Sequence, residues 1–443
     1  MRNQALSAEK ILVFSYFIGI IVIGTSLLVL PGIWRGGGAL SWHDALFTAT
    51  SAVCVTGLTV VDTAQFSLAG QWIILALIQF GGLGLITFGV LFLMGGRRRI
   101  SLAGSAVLRD MFIGEVEYQP RAIIKSVVVT TLLVESAGAL LLWPRFVAAG
   151  GRQPLFTAFF HAVSAFCNAG FSTFPNSLEG FRDDWVINLV VMVLIVSGGI
   201  GFVVFRDVIN VVRRRKRHLS YHTRLVLRLS GGLILAGALL FFGLEYRHAL
   251  SGLAWPEKIL AAFFQAVTTR TAGFDTVAQA TFSLPSVLLV LLLMFIGGSP
   301  GSTAGGVKTT TIFTAALAAL DSAREDGSFV YKGGYLTTSV IARAFMVLAR
   351  AALILAVSFF LLLLFELPRG QAGFVALLFE TISAFGTVGL TLGITPTLGL
   401  AGKLLIVATM FIGRIGLFAM IIAQSRKSIE RYAEFPAADI MIG

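Results

Sequence analysis

Eight long runs of mostly apolar residues constrain this chain before anything else does. They lie near residues 11–31, 71–95, 122–143, 185–212, 225–245, 283–320, 339–366 and 400–425. A bilayer core about 30 Å thick takes a helix of about 20 apolar residues, so each run has the length to cross one. Charged residues make up 13% of the chain and hydrophobic ones 56%, whereas soluble domains carry roughly 25% charged residues. Secreted, disordered and fibrous proteins are thereby excluded, and the expected fold is an all-α polytopic membrane protein with eight transmembrane helices. The first run is too long for a cleaved signal peptide and lacks a small-residue cleavage site. Cys54 and Cys167 are 113 residues apart and build no disulfide scaffold.

Four shorter apolar stretches, near 43–55, 154–168, 256–271 and 371–387, fall between the members of successive pairs of runs. They are too short to span and read as re-entrant or interfacial segments. Lys and Arg set the orientation. With the N-terminus inside, 24 of the 34 fall on inner segments and eight on outer ones, so both ends are expected in the cytoplasm. The net charge of +12, and with it the cluster Arg213-Arg214-Arg215-Lys216-Arg217, then reports topology rather than a nucleic-acid partner. The outer side keeps ten Asp and Glu against those eight bases, a mildly acidic mouth that weakly favours cations.

The ends of the short stretches align without gaps. They read Ser51-Ala52-Val53-Cys54-Val55-Thr56-Gly57-Leu58-Thr59 and Ser164-Ala165-Phe166-Cys167-Asn168-Ala169-Gly170-Phe171-Ser172, then Val267-Thr268-Thr269-Arg270-Thr271-Ala272-Gly273-Phe274-Asp275 and Ser383-Ala384-Phe385-Gly386-Thr387-Val388-Gly389-Leu390-Thr391. The central glycines are 113, 103 and 116 residues apart. A second glycine column, Gly81, Gly198, Gly297 and Gly413, follows them after 24, 28, 24 and 24 residues. Singly, such glycines only let membrane helices pack closely; two columns in register argue for four repeats, at 8–96, 118–217, 221–320 and 337–427, with a tail at 428–443.

A cation entering a membrane must exchange its water for protein oxygens, and rings of backbone carbonyls do this when four loops share one axis. Aiming successive carbonyls inward demands backbone angles that glycine adopts cheaply. Each short stretch would be a half-helix with its partly negative C-terminal end toward the ion. Ser41 with Asp44, Pro154 and Trp255-Pro256 supply start signals for three of them.

With these four loops, and with the interrupted run 283–320, the chain resembles the Trk/Ktr/HKT superfamily of potassium transporters, most of all its Ktr-type membrane subunit. The resemblance runs from about residue 8 to 425, and the first filter unit opens the chain, as in the Ktr type. It implies a potassium-selective filter at Val55, Thr56 and Gly57, at Asn168, Ala169 and Gly170, at Thr271, Ala272 and Gly273, and at Thr387, Val388 and Gly389. Four glycines there imply potassium preference, since Ser at the first goes with sodium transport in some relatives. It also implies a plasma-membrane homodimer, a separate cytoplasmic nucleotide-binding ring of the RCK type, and stimulation by sodium. Potassium in the pore and sodium as activator are the only ions implied, with no covalent cofactor.

Gly297-Gly298-Ser299-Pro300-Gly301-Ser302-Thr303-Ala304-Gly305-Gly306-Val307-Lys308 is the most unusual segment. Val307 stands between Gly306 and Lys308, so the phosphate-loop pattern fails. The choice lies between a helix kink and a mobile intramembrane loop lining a wet cavity, and the second is favoured; the resemblance implies a gate. Arg414, mid-membrane, needs water or a partner. It is read either as a structural pairing or as a charge beside the pore near that loop, and the two are compatible. Arg270 is read as a brace behind the filter. Asp275 is read either as a mouth carboxylate or as a loop cap. Glu135 and Glu380 fit buried hydrogen bonding better than ion coupling. His43 and His161 have no metal-ligand spacing around them, and no nucleophile–base arrangement or redox motif points to an enzyme. The rivals are a sodium-preferring or unselective cation transporter, an inverted-repeat secondary transporter and a scaffold without transport. The like orientation of the four units argues against the second, and the matched loops argue against the third.

Overall fold

The computed structural model describes residues 8–95, 120–321 and 329–416. Residues 96, 118–119 and 417–427 of the expected repeats, the tail 428–443, and Arg2, Arg97, Arg98, Arg99, Arg109, Arg324, Arg426, Lys427 and Arg431 of the inner basic set lie outside them.

Fourteen α-helices occur among the described residues, and the order long helix, short helix, further helix is met four times. First come α1 (Ala8–Leu28), α2 (Trp42–Val53) and α3 (Leu68–Gly95). Next are α4 (Pro120–Ala148), α5 (Pro154–Phe166), α6 (Trp185–Gly199) and α7 (Phe202–Val212). Then follow α8 (Tyr221–Glu245), α9 (Trp255–Thr268), α10 (Leu284–Phe295) and α11 (Thr309–Leu320). Last are α12 (Thr338–Glu366), α13 (Phe374–Gly386) and α14 (Leu400–Phe411), which runs into a π turn at Ile412–Gly416.

The short helices start where local chemistry dictates. The Ser41 side chain accepts the Asp44 amide at 3.2 Å, capping α2. Pro154 opens α5, and Pro256 lies in the first turn of α9, where the missing N–H removes no helical bond.

Packing runs in a circle. α3 lies against α4 and α5, α6 against α9, α10 against α13, and α14 returns to α2. Each further helix thus packs on the short helix of the following unit, and the last closes on the first. The short helices are the innermost elements: α2, α5, α9 and α13 each bury the greater part of their length. Apolar side chains on the long helices face outward instead, among them Leu133, Leu239 and Phe360, as lipid contact requires.

Two expectations need correction. Residues 185–212 are one apolar run in sequence but two helices meeting at 107°. Gly201 has φ of +91°, outside the helical region, and the carbonyls of Gly198 and Gly199 accept bonds from a distant loop instead of continuing the ladder. The chain is also not wholly helical, because β1 (Phe329–Tyr331) and β2 (Gly334–Leu336) form an antiparallel hairpin between α11 and α12. By length and composition, residues 125–148, 221–245 and 338–369 each suffice to cross a membrane, and the bent α6–α7 pair makes a fourth such stretch.

Candidate functional site

The chain leaves each short helix through the same backbone sequence. Two residues before the central glycine, Val55, Asn168, Thr271 and Thr387 have φ of +56°, +60°, +72° and +50°. Gly57, Gly170, Gly273 and Gly389 follow at +94°, +68°, +78° and +93°. Left-handed residues alternating with ordinary ones turn successive peptide planes to the same side, whereas a strand turns them to opposite sides. At a non-glycine this conformation costs roughly 1–2 kcal/mol per residue, and on β-branched Val55, Thr271 and Thr387 it is a genuine outlier. Strain of that kind persists only where surrounding structure enforces it.

The enforcement is visible behind each loop. Ser51 and Ser383 accept the amides of Gly57 and Gly389, each at 3.1 Å. Ser164 donates to the Phe171 carbonyl at 2.8 Å, and Thr268 to that of Phe274 at 2.5 Å. Further out, Glu380 accepts from Thr391 at 2.8 Å, and the matching pair in the second unit is His161 Nε2 with Ser172 at 3.0 Å.

The four glycines close into a ring. A Cβ on Gly57 would fall 2.6 Å from the Ala169 carbonyl oxygen, on Gly170 2.7 Å from that of Ala272, and on Gly273 2.5 Å from that of Val388. On Gly389 it would strike the carbonyl of Thr56, with Gly57 Cα 3.0 Å away. Every partner oxygen belongs to the residue preceding a central glycine. No side chain fits there, which is why glycine recurs. The hydroxyls of Thr56, Thr271 and Thr387 are buried and, among the described residues, bond to no protein group.

A cavity of about 390 Å³ opens directly on this ring, lined by all four glycines together with Asp62, Glu179, Asp275 and Thr391. Asp275 stands in its wall, its amide donating to Ser177 Oγ at 3.2 Å. Burial, and the nearby Glu179, raise its carboxyl to about 7.

Across the ring from this mouth lies the loop between α10 and α11. Gly297 donates to the Val307 carbonyl at 2.9 Å, closing the loop at its base. Ser299 and Thr303 donate to Gly199 and Gly198 at 3.0 and 3.2 Å, and Gly301 accepts from Phe202 at 3.1 Å. Gly201 meets the Pro300 carbonyl, where a Cβ would come within 2.5 Å. Ser302 caps the Ser299 carbonyl at 2.6 Å, and Gly298 accepts the Thr309 amide at 3.1 Å. Lys308 Nζ reaches the carbonyls of Ala304 and Gly305 at 2.7 and 3.5 Å. Gly305 and Gly306 lie beneath the fourth ring segment, so that a Cβ on them would come 3.1 and 3.3 Å from the Gly386 carbonyl. Arg414, 3% exposed in the π turn, donates through Nη1 to the Thr303 carbonyl and through Nη2 to that of Gly81 at 3.2 Å. It ties the loop to α3.

The second glycine column has a packing cause. A Cβ on Gly81, Gly198 or Gly413 would lie 2.7, 3.0 or 2.8 Å from the carbonyl carbon of Val53, Phe166 or Phe385, at the end of that unit's own short helix. Gly297 instead packs on Gly305. Arg270 lies behind the ring and reaches the Ser230 carbonyl on α8 at 3.4 Å. Glu135 accepts from Gln79 at 3.0 Å, and Glu380 is held by Thr391 and Thr395, so both carboxyls are hydrogen-bonded within the protein. The left-handed Val55, Thr271 and Thr387, and the Lys308 clasp, had no sequence signal; at Asn168 the residue type itself favours that conformation.

Apolar helices packed around one ring of backbone carbonyls, with a polar mouth on one side and a folded loop on the other, define a multi-pass membrane protein organised about a central axis. The chain belongs to the TrkH family of cation transport proteins, whose profile matches residues 2–432. It is 41% identical to Ktr system potassium uptake protein B of Bacillus subtilis, over 96% of this chain and 95% of that protein. Ktr system potassium uptake protein B of Vibrio alginolyticus is 37% identical, over 98% and 95%. Potassium/sodium uptake protein NtpJ of Enterococcus hirae is 34% identical, over 100% and 98%. The crystal structure of the potassium transporter TrkH from Vibrio parahaemolyticus shares the fold, with a TM-score of 0.75 at 21% identity, covering 95% of this chain and 85% of that one.

Proposed function

We propose that this chain is the pore-forming subunit of a potassium-uptake system in the plasma membrane. The observation that carries the reading is the closed ring in which Gly57, Gly170, Gly273 and Gly389 each meet a carbonyl of the neighbouring loop. Four inward-facing segments of that kind offer a dehydrated cation a cage of oxygens, and the hydroxyls of Thr56, Thr271 and Thr387, which bond to no protein group among the described residues, add to it. The strain held on the residues two before each glycine fixes the cage size. Two relatives bearing the name potassium uptake protein, at 41% and 37% identity, support potassium as the cargo.

In this reading the four units are pseudo-repeats giving eight crossings, with α6–α7 and α10–α11 each a single broken crossing. Both termini face the cytoplasm, in line with the Lys and Arg distribution. The acidic mouth faces outward and gathers cations. The loop 297–308, clasped by Lys308 and latched by Arg414, is the gate. The positive charge of Arg414 raises a barrier under the ring until the latch opens. The membrane potential supplies about 2.3 kcal/mol per charge per 100 mV for uptake. A homodimeric assembly, an RCK-type nucleotide-binding ring on the cytoplasmic face and stimulation by sodium complete the proposal, all three by family resemblance.

The second reading is a transporter that accepts sodium as readily as potassium, favoured by the 34% identity to a potassium/sodium uptake protein. Flux into liposomes separates the two. Rubidium or potassium uptake should resist a tenfold excess of sodium; inhibition in proportion to the sodium added would support the second reading, and no cation flux at all would overturn both.

A further inference from the structure

Away from the ring, one concavity of about 100 Å³ is lined by Tyr221, Arg224, Leu225, Arg228, Tyr331 and Lys332. Tyr221, Arg224, Leu225 and Arg228 follow the spacing i, i+3, i+4, i+7, so the first two turns of α8 present one face to it. Lys332 comes from the turn of the β1–β2 hairpin.

The hairpin is held there by specific contacts. Tyr221 donates its hydroxyl to the Tyr331 carbonyl at 2.9 Å. The Tyr221 ring packs where a Cβ on residue 334 would have to stand, so Gly334 is required. Phe313 of α11 meets the Tyr331 ring edge-on at 4.8 Å. The two-residue turn then sets Lys332 in the left-handed region, with φ of +44°, followed by Gly333 at +80°. A strained lysine is thus delivered to a wall that already carries two arginines.

Three cations share this space, and among the described residues no carboxylate is paired with Arg224, Arg228 or Lys332. Their mutual repulsion is relieved by an anion, and guanidinium pairs match the paired oxygens of a phosphate in geometry as well as charge. The concavity has room for one phosphate group. Because α8 is long and apolar enough to cross a membrane, its first turns lie at headgroup level, where basic pockets take anionic lipid headgroups.

We propose that Arg224, Arg228 and Lys332 form a binding site for a phosphate-bearing anion at the membrane surface. The site clasps α8 to the hairpin that leads into α12, so occupancy stabilises the junction between the third and fourth units.

The test uses the purified full-length chain in detergent, stripped of lipid. Dioleoyl phosphatidylglycerol, dioleoyl phosphatidylcholine and inorganic phosphate are each titrated against thermal stability and by native mass spectrometry. The double variant Arg224→Gln/Arg228→Gln and the single variant Lys332→Gln are run beside Arg152→Gln, a distant exposed control. Lys332 is on an exposed turn, so its variant keeps the test decisive if the double variant misfolds. Phosphatidylglycerol binding that weakens at least fivefold in the site variants but not in Arg152→Gln assigns the site to a lipid headgroup. The same pattern with inorganic phosphate assigns it to a soluble anion. Equal binding by wild type and site variants for both probes, or equal binding of phosphatidylcholine, overturns the proposal.

Discussion

Lys403 donates to Asp44 at 2.7 Å, joining the first turn of α14 to the first turn of α2 across 359 residues of sequence. This contact is the seam at which the circle of helices closes, and both side chains are mostly shielded, at 12% and 17% exposure. Asp44 is doubly committed, since Ser41 also donates to it at 2.6 Å within the cap of α2. Lys403→Met should therefore destabilise the fold by more than the ~1 kcal/mol of an exposed pair and by less than the ~3–5 kcal/mol of a fully buried one. A double-mutant cycle with Asp44→Asn, read by thermal unfolding in detergent, measures the coupling; additive losses would show that the pair does not hold the seam.

Gly57 has no room for a side chain, and its φ of +94° disfavours one. Gly57→Ser must push the Ala169 carbonyl outward or twist its own peptide, and either change alters the oxygen cage on one side only. A change of roughly 1.4 kcal/mol in relative ion binding is tenfold in an equilibrium constant, and the left-handed penalty is of that size. The expected outcome is a loss of about tenfold in potassium-over-sodium discrimination in liposome flux, with the fold retained. Unchanged discrimination would remove Gly57 from the ion path.

Arg414 spends both terminal nitrogens on carbonyls, one in the loop and one on α3. Arg414→Ala removes the latch together with a positive charge beneath the ring, so basal flux should rise several-fold. Deleting residues 301–306 should raise it further. Gly305→Ala supplies an independent probe, because the added carbon meets Thr387 and forces the loop away from the ring. If all three variants fold normally and conduct no more than wild type, the loop is a structural element and not a gate.

Much of this architecture is legible in the sequence because membrane burial and backbone geometry leave direct marks on residue choice. The apolar runs mark the long helices, and glycine at 57, 170, 273 and 389 marks a carbonyl ring that admits no Cβ. The break within 185–212 is not legible, since Gly198, Gly199 and Gly201 look like packing glycines until the loop residues Ser299 and Thr303 take the carbonyls of Gly199 and Gly198 and Gly201 turns left-handed. That pairing joins segments about a hundred residues apart, and composition is silent on such partners. The conformation of Val55, Thr271 and Thr387 runs against their residue type. β-branched residues ordinarily signal extended backbone, and here tertiary contacts hold them left-handed. The hairpin at 329–336 leaves no mark in the sequence because two three-residue strands carry too little periodicity.

Asp275 gives the mouth a pH dependence. Its carboxyl, recessed in the vestibule wall beside Glu179, is raised by burial to about 7, against about 3.9 in an unfolded chain. The folded protein thus holds this proton more tightly, so the contribution to stability is full below about pH 4 and is lost as pH rises to about 7. Conduction should move the other way. Below pH 7 the group is neutral and draws no cation; above it the negative charge raises the local potassium concentration above the ring. Uptake at subsaturating potassium should therefore climb as external pH passes through 7, while the thermal midpoint falls between pH 5 and 7. Asp275→Asn should flatten both profiles at once. A flat flux profile in the wild type, or one that Asp275→Asn leaves intact, would take this carboxyl out of the ion path and leave it as a loop cap on Ser177.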